Sequence, residues 1–430
     1  MKIIDWQSTD PAEQKAALAR PQQGNDKALA EKVAAIIDAV KQRGDAALKE
    51  FNLKFDKAQL TTLRVSAQDI QAGAQGTSPE LRVAILQAKF NIEKFHEAER
   101  PHTVKVETMP GVLCEQHWRA IETIGLYVPG GTAPLFSSVL MQSIPAKIAG
   151  CRRIILCTPP QSDGKIHPAI LLAADICGIT EIYAVGGAQA IAAMAYGTGS
   201  IPKVDKIFGP GNAYVTMAKQ LVSQDPAGAA IDMPAGPSEV MVIAEKSAKA
   251  DWVAADLLAQ AEHDMTAQAI LVTTDTRFAQ QVAQEVEKQL ASLPRNNIAA
   301  AAIRESRIII TTNMNAAIRI ANVYAPEHLI IHNEDAAKYL PDIQHAGSVF
   351  LGPLTPESAG DYASGTNHVL PTYGYARAYN GITVLSFMKS MTVQTISRIG
   401  LENLGSTIIT MAEAEGLQAH ANAVKIRTGK

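Results

Sequence analysis

Two side chains able to bind a metal ion, Gln260 and His263, lie three residues apart in the sequence. They fall at the end of a predicted helix over 251–263, where this spacing puts both on one face and within reach of one ion. A Gln-x-x-His pair also occurs by chance in many chains, so a surface position explains it as well. The pair marks a candidate site that needs further ligands.

The segment 356–368 supplies two further candidates, Asp361 and His368. It is polar and has no apolar run able to build a core, so we expect a loop that holds a ligand. Asp361 could instead cap a helix, and His368 could stabilise the loop. Nitrogen and oxygen ligands without a thiolate suit Zn²⁺, although Mn²⁺ or Co²⁺ would also fit.

Glu327 and His328 place a carboxyl group beside an imidazole at the start of a predicted strand. The ordinary pKa of histidine suits proton transfer near neutral pH, and burial can tune a glutamate to join it. Successive strand side chains point to opposite faces, so the two share a site only if the chain turns at Pro326 or the strand begins there. A buried histidine beside an exposed glutamate is the alternative.

Three glycine turns each follow a predicted strand and open a helix: Tyr127–Gly131, Val185–Gln189 and Phe208–Asn212. Backbone N–H groups in such turns, together with the helix dipole, favour a pyrophosphate. Short strand-to-helix turns favour glycine for structural reasons too, and G-x-G-x-x-G does not occur in the sequence. A dinucleotide bound here would be held differently from the usual fingerprint.

The elements that must position these residues alternate between strands and helices. Strands are predicted at 121–128, 153–157, 181–185, 206–208, 239–244, 269–273, 307–311, 328–331 and 347–351. The alternation favours an α/β fold with two Rossmann-like parallel-sheet domains and small helical N- and C-terminal segments.

The predicted boundaries divide the chain into four parts. A helical segment covers 1–25, and a discontinuous α/β domain of 26–128 and 237–380 carries the catalytic and metal residues. A second Rossmann-like domain covers 129–236 on the nucleotide side. The region 391–421 is predicted to form helices without strand partners, within a C-terminal tail over 381–430.

Composition excludes several classes of partner. The 430 residues carry a net charge of −3, which does not give the basic surface of a nucleic-acid or membrane-surface binder. Although 47% of the residues are hydrophobic, no stretch approaches the roughly 20 uninterrupted apolar residues that a membrane span needs. The N-terminus has no apolar signal region, and the four cysteines, Cys114, Cys151, Cys157 and Cys177, lack C-x-x-C spacing. We therefore expect a cytoplasmic protein with a small-molecule substrate.

The stretch from Ile231 to His263 resembles the signature of the histidinol dehydrogenases. The similarity continues through 125–131, 206–212, 326–329 and 358–372. It implies a zinc-dependent, NAD-linked enzyme that oxidises L-histidinol through histidinaldehyde to L-histidine, the last step of histidine biosynthesis. It also implies a homodimer, with one zinc per subunit, that exchanges its C-terminal tails.

The resemblance assigns roles by position. The family's zinc ligands match Gln260, His263, Asp361 and His420, and its NAD contacts match Tyr127, Gln189 and Asn212. Its substrate contacts match Ser238, His368 and Glu415 together with His328 and the four metal ligands, and its catalytic pair matches Glu327 and His328. Without the family, His420 would be an incidental histidine on a helical tail.

The implied mechanism gives the hydroxyl proton to His328 and uses Glu327, with help from His328, to activate water for attack on the aldehyde. A thiohemiacetal on Cys114 or Cys151 is the competing route. Other functions remain open on the residues alone. A metal hydrolase would use Glu327 as its base, and a binding module would retain a nucleotide without turnover.

Overall fold

The computed structural model describes residues 1–21, 27–130, 134–234 and 236–429. The strands are β1 (Lys2–Asp5), β2 (Val104–Met109), β3 (Val112–Ala120), β4 (Thr123–Tyr127), β5 (Arg153–Thr158), β6 (Glu181–Ala184), β7 (Lys206–Phe208), β8 (Ala230–Ile231), β9 (Glu239–Ala244), β10 (Gln268–Thr273), β11 (Arg307–Ile310), β12 (His328–His332), β13 (Ser348–Leu351) and β14 (Met388–Ile396).

Helices surround these strands. The α-helices are α1 (Pro11–Ala17), α2 (Lys27–Arg43), α3 (Asp45–Phe51), α4 (Ala67–Gln75), α5 (Pro79–Ala98), α6 (Ser137–Ala149), α7 (Pro168–Ile176), α8 (Gly187–Tyr196), α9 (Ala213–Gln224), α10 (Ala250–Ala261), α11 (Thr276–Leu290), α12 (Asn296–Arg304), α13 (Met314–Tyr324), α14 (Glu357–Tyr362), α15 (Arg398–Ala414) and α16 (Gln418–Thr428). A π-helix spans Asn52–Asp56, and 3₁₀ turns span Ala336–Asp342, Tyr375–Arg377 and Val384–Phe387.

Two parallel sheets confirm the predicted α/β fold. Five strands pair in the order β6-β5-β4-β7-β8, and six pair in the order β1-β11-β10-β9-β12-β13. The strands β9 and β10 are buried along their whole length, as expected for a parallel sheet covered by helices on both faces. Within the described ranges, no helix is long and apolar enough to cross a bilayer.

Apart from the edge strand β1, both sheets share one strand order. Counted along the chain from β4 in one sheet and from β9 in the other, the first strand lies between the second and the fourth. In the five-stranded sheet the order reverses between β4 and β7, and in the six-stranded sheet it reverses between β9 and β12. Such a reversal opens a crevice between the neighbouring loops, which is where open α/β sheets usually bind ligands. Both reversal points lie next to residues singled out in the sequence.

The predicted grouping of residues 26–128 with the six-stranded sheet is wrong. Strand β4 is the central strand of the five-stranded sheet, and helices α2 and α3 bury Val33, Val40 and Leu48 in the core that includes Ile155 of that sheet. The predicted boundary at residue 128 falls between β4 and β5, which pair in the same sheet. Asp26, the predicted start of α2, and Gly131 of the first glycine turn lie outside the described residues.

The N-terminal segment is not entirely helical. Residues Lys2–Asp5 form an edge strand that pairs in parallel with β11, and only Pro11–Ala17 forms the predicted helix. Asp10 caps this helix through its carboxylate, and Glu13 bonds back to the backbone of Asp10. Residues 22–25 of the predicted segment lie outside the described ranges.

The tail is not purely helical either. Met388–Ile396 pairs antiparallel with β3, which also pairs with β2, to form a third, three-stranded sheet. Most residues of this strand are exposed, so the sequence lacks the alternating pattern that would have identified it. The helices α15 and α16 follow it and pack against each other.

Candidate active site

A small cavity of about 100 Å³ brings together half of the predicted site residues. The residues that line it include Ser138, Gly209, Lys219, Asp232, Ser238, His263, Glu327, His328, Asp361, Tyr362 and His368. The amino ends of strands β9 and β12 border it, through Ser238, which precedes β9, and through His328, the first residue of β12. The site of the six-stranded sheet is thus at the opposite end from the one open α/β sheets usually use.

Glu327 and His328 share the cavity because the strand begins at His328. The backbone of Glu239, on the neighbouring strand, bonds to both side chains. Its N–H donates to Glu327 Oε2 at 2.9 Å, and its carbonyl oxygen lies 3.3 Å from His328 Nδ1. Both side chains are buried, at 5% and 4% exposure, which excludes the alternative of an exposed glutamate.

The two ring nitrogens of His328 have different surroundings. A proton on Nδ1 can be donated to the Glu239 carbonyl, which leaves Nε2 as the nitrogen with the free electron pair. Nε2 is buried, makes no hydrogen bond within the described residues, and lies 3.6 Å from Asp361 Oδ1. Burial lowers the pKa of His328 to about 3, so the ring is neutral and able to accept a proton.

A group of possible metal ligands lies beside this ring. His263, Glu357 and Asp361 each offer one ligand atom, and these atoms all lie within 4.8 Å of one another. His263 follows the end of α10 and is exposed, whereas Glu357 is buried. The structure thus brings the predicted ligands His263 and Asp361 together.

Glu357 is a site residue that the sequence reasoning missed. It and Asp361 occupy positions i and i+4 of the short helix α14, so the expectation of a loop over 356–368 is wrong for this part. The i, i+4 spacing was the available signal. The glycine, serine and asparagine around it obscured the helix because these residues favour turns.

Gln260 is fully buried near the same group. Its Oε1 lies 3.2 Å from His328 Nδ1, and turning the amide lets its nitrogen donate to Glu357 Oε1 at 2.8 Å. The same position of the amide therefore faces both His328 and Glu357, either as an oxygen that accepts from His328 Nδ1–H or, when turned, as a nitrogen that donates to Glu357 Oε1. Its position next to His263 agrees with the spacing argument.

The carboxyl groups of Glu327, Glu357 and Asp361 lie close together in a largely buried site. Burial raises the pKa of Asp361 to about 7 and raises the pKa of Glu327 and Glu357 well above the ordinary value. Glu357 Oε2 and His368 Nε2 are buried without hydrogen-bond partners in the described part of the chain. Unsatisfied buried oxygens and imidazole nitrogens of this kind fit a bound divalent cation.

Two predicted residues lie away from the cavity. Glu415 and His420, at the junction of α15 and α16, are exposed and are not among the cavity's lining residues. His263 is also exposed, so the metal-ligand side of the cavity opens to solvent in a single chain. The structure of one chain does not bring the tail residues to this site.

The three predicted nucleotide contacts line a second, larger cleft. Tyr127, Gln189 and Asn212 border a space of about 1150 Å³ on the five-stranded sheet. The Tyr127 hydroxyl accepts a hydrogen bond from the Gly187 N–H at 3.1 Å. Asn212 Oδ1 caps helix α9 by accepting from Tyr214 and Val215, so only its Nδ2 can donate to a cofactor.

The turn after β7 separates this cleft from the cavity. Gly209 and Pro210 line the cavity, whereas Asn212 lines the cleft. Gly209 has φ +121°, and a Cβ there would lie 2.1 Å from the Tyr127 carbonyl oxygen, so the close approach requires glycine. Lys219 forms a buried ion pair with Asp232 and donates to the Gly209 carbonyl at 2.8 Å, which holds the turn.

Neither candidate nucleophilic cysteine borders the cavity. Cys114 lies on the antiparallel strand β3, and Cys151 follows helix α6. Burial raises the pKa of the Cys151 thiol to about 12, which opposes formation of the thiolate. The geometry gives no support to a covalent thiohemiacetal.

Comparison with known proteins places the chain among close relatives. The family model described as histidinol dehydrogenase matches residues 18–428. Histidinol dehydrogenases of Vibrio parahaemolyticus and Escherichia coli are both 53% identical, over 100% and 99% of this chain and 99% and 97% of theirs. The crystal structure of histidinol dehydrogenase from Elizabethkingia anophelis is 50% identical, has a TM-score of 0.95, and is matched over 99% of this chain and 98% of that one.

Proposed function

Because the chain belongs to the histidinol dehydrogenase family, which consists of oxidoreductases, we propose that it oxidises L-histidinol through L-histidinaldehyde to L-histidine with NAD and Zn²⁺. The observation that carries the proposal is His328 Nε2, which has no hydrogen-bond partner among the described residues and lies beside a group of possible metal ligands. A turn of only a few residues separates this cavity from the large cleft.

The donor set fits zinc. Gln260, His263 and Asp361 would hold the ion from one subunit, and His420 of the partner subunit would complete the set. Zn²⁺, when bound, supplies a Lewis acid that binds the amine and imidazole nitrogens of histidinol. Glu357, which lies within the ligand group, would accept hydrogen bonds from Gln260 and so fix its amide.

The large cleft fits a dinucleotide. Tyr127, Gln189 and Asn212 would contact it beside the glycine turns, where backbone N–H groups favour a pyrophosphate. NAD, when bound, supplies the acceptor for the hydride that each oxidation removes. The Gly209–Asn212 turn would let its nicotinamide end approach the cavity, since the turn borders both spaces.

His328 would act in the first oxidation. As the carbinol carbon loses hydride, the hydroxyl proton passes to His328 Nε2, and the C–O bond becomes the aldehyde carbonyl. The Glu239 carbonyl holds Nδ1–H, and Asp361, 3.6 Å from Nε2, stabilises the imidazolium that forms. Both contacts require His328 to keep the orientation seen here.

Glu327 would act in the second oxidation. Its carboxylate takes a proton from water while the water oxygen adds to the aldehyde carbon, which gives the anion of the hydrated aldehyde. Loss of a second hydride and a proton then yields the carboxylate of histidine. The raised pKa of Glu327 makes its deprotonated form a stronger base than an exposed glutamate. Ser238 and His368 line the cavity and would contact the substrate, joined by the partner subunit's Glu415.

Matched variants at the catalytic pair test this division of labour. With zinc-loaded protein, we expect His328→Asn to lower NADH formation from L-histidinol by roughly a hundredfold or more. Glu327→Gln is expected to impair NADH formation chiefly when L-histidinaldehyde is the substrate. Zinc content serves as the control for an intact site. Full activity of both variants, with either substrate, would contradict the proposed roles.

A further inference from the structure

The large cleft extends beyond the glycine turns to a segment that has no role in the proposed mechanism. The π-helix Asn52–Asp56 contributes Lys54, Phe55 and Asp56 to the lining of the cleft. None of these residues lines the catalytic cavity. They therefore border the cleft without bordering the cavity, where the reacting end of a dinucleotide would lie.

The π-helix holds Asp56 in a fixed position. Asn52 is fully buried, and its Nδ2 donates to the Ala184 carbonyl at 2.7 Å, which ties the turn to the end of β6. The rings of Phe51 and Phe55 stack with centroids 5.6 Å apart, and Lys57 ends the turn with φ +60°. Single π-turns of this kind often occur at functional sites.

Asp56 has a carboxylate oxygen whose hydrogen-bonding capacity is unused. Its Oδ2 is inaccessible to solvent and has no hydrogen-bond partner within the described ranges. Burial raises the pKa of Asp56 to about 6, so the group is mostly ionised at neutral pH. A buried, ionised acceptor without a donor is costly, and a ligand hydroxyl in the cleft would satisfy it once rotation of the Asp56 side chain turns this oxygen toward the cleft.

The parts of a dinucleotide differ in what they offer such a group. The pyrophosphate is an anion, which a carboxylate repels, and the nicotinamide must lie toward the cavity for hydride transfer. The adenosine ribose offers two hydroxyl donors and belongs at the far end. We propose that Asp56 accepts hydrogen bonds from the hydroxyls of this ribose and thereby selects NAD over NADP. The proposal rests on the proposed function of the cleft.

Selection follows from the charge of the competing cofactor. NADP carries a phosphate on the 2′-oxygen of the same ribose, so it replaces a donor with an anion beside the Asp56 carboxylate. Lys32 and Lys54 also line the cleft and would attract that phosphate, but both are exposed. Solvent screens the attraction of these exposed lysines more than it screens the repulsion by Asp56, whose Oδ2 is shielded from solvent.

Direct binding measurements separate this role from catalysis. NADH and NADPH are titrated into the full-length, zinc-loaded protein and followed by nucleotide fluorescence, for the wild type and Asp56→Asn. Asp38→Asn is the matched control, because it removes the same charge from an exposed position of α2 that does not line the cleft. Thermal melting of each variant confirms that it folds.

We expect the wild type to bind NADH in preference to NADPH. Asp56→Asn should weaken NADH binding by roughly tenfold to a hundredfold and strengthen NADPH binding, while the control changes neither. An unchanged ratio of the two affinities in Asp56→Asn would overturn the inference while leaving the proposed function intact. A wild-type protein that binds neither nucleotide would overturn the proposed function of the cleft and the inference with it.

Discussion

His328 suits the catalytic role proposed for it because its two ring nitrogens differ. The Glu239 carbonyl occupies one nitrogen and leaves the other directed at the cavity. A backbone acceptor beside Nδ1 favours a proton on that nitrogen, so the orientation of the ring depends on where β9 and β12 begin. The active imidazole is thus set by strand register as well as by residue type.

The cysteines provide a test at the residue scale. Because Cys114 and Cys151 do not line the cavity, and burial raises the pKa of Cys151 to about 12, we expect the double variant Cys114→Ser/Cys151→Ser to keep both oxidation steps. NADH formation from L-histidinol and from L-histidinaldehyde measures the two steps separately. Loss of the second step with the first intact would instead support the thiohemiacetal route.

Part of the candidate site could be predicted from the sequence, and the physical reason differs from residue to residue. Helical spacing alone joined Gln260 to His263, and both lie at the cavity or beside its ligand group in the structure. Glu357 was missed because turn-forming residues concealed a short helix. His420 could be assigned only from the family, since its neighbours describe an ordinary exposed helix.

At the scale of elements, the N-terminal segment supports the catalytic strands through one buried ion pair. Arg20 donates to both carboxylate oxygens of Glu239, at 2.6 and 2.7 Å, and to the Tyr324 carbonyl at 2.8 Å. Its guanidinium also lies 3.9 Å from the centre of the Tyr324 ring. The pair fixes the residue whose backbone bonds to Glu327 and His328.

Removal of Arg20 tests this support. Arg20→Met leaves the Glu239 carboxylate buried at 2% exposure without its cation, so we expect the free energy of unfolding to fall by about 3 kcal/mol. Urea denaturation measures the change. The control is Arg43→Met, which breaks an exposed pair with Glu50 and should cost under about 1 kcal/mol. Equal, small losses in both variants would contradict the role of Arg20.

The strands that the sequence predicted are those with continuous apolar runs. Strands β9 and β10 are buried throughout, and their extents were predicted to within one residue. Strand β14 was missed because its residues are mostly exposed and its pairing with β3 depends on distant contacts. Burial within a sheet leaves a local pattern in the sequence, whereas pairing of an exposed strand does not.

At the scale of the whole molecule, the two parallel sheets share a strand order but place their candidate sites at opposite ends of their strands. The five-stranded sheet presents its glycine turns at the carboxyl ends of β4 and β7, and the six-stranded sheet presents Glu327 and His328 at the amino end of β12. This arrangement sets the large cleft and the catalytic cavity on either side of one turn. The division could not be predicted from the sequence, since it depends on how the sheets face each other.

Exchange of the tails between subunits can be tested by mixing inactive variants. His263→Asn and His420→Asn should each lose zinc and activity on their own. If the tail completes the partner's site, a mixed dimer has one intact site, so mixing equal amounts after dissociation should restore about a quarter of wild-type activity. The exposed positions of His263 and His420 in one chain support this expectation. No recovery in verified mixed dimers would contradict tail exchange.

The central claim is that one cavity carries an alcohol through two successive oxidations. The most direct measurement is the amount of NADH formed per L-histidinol consumed by the zinc-loaded protein with excess NAD⁺, followed by ultraviolet absorbance and by chromatography of the product. The proposed function predicts two NADH per L-histidinol and L-histidine as the product. One NADH per L-histidinol with release of the aldehyde, or no NADH at all, would contradict it.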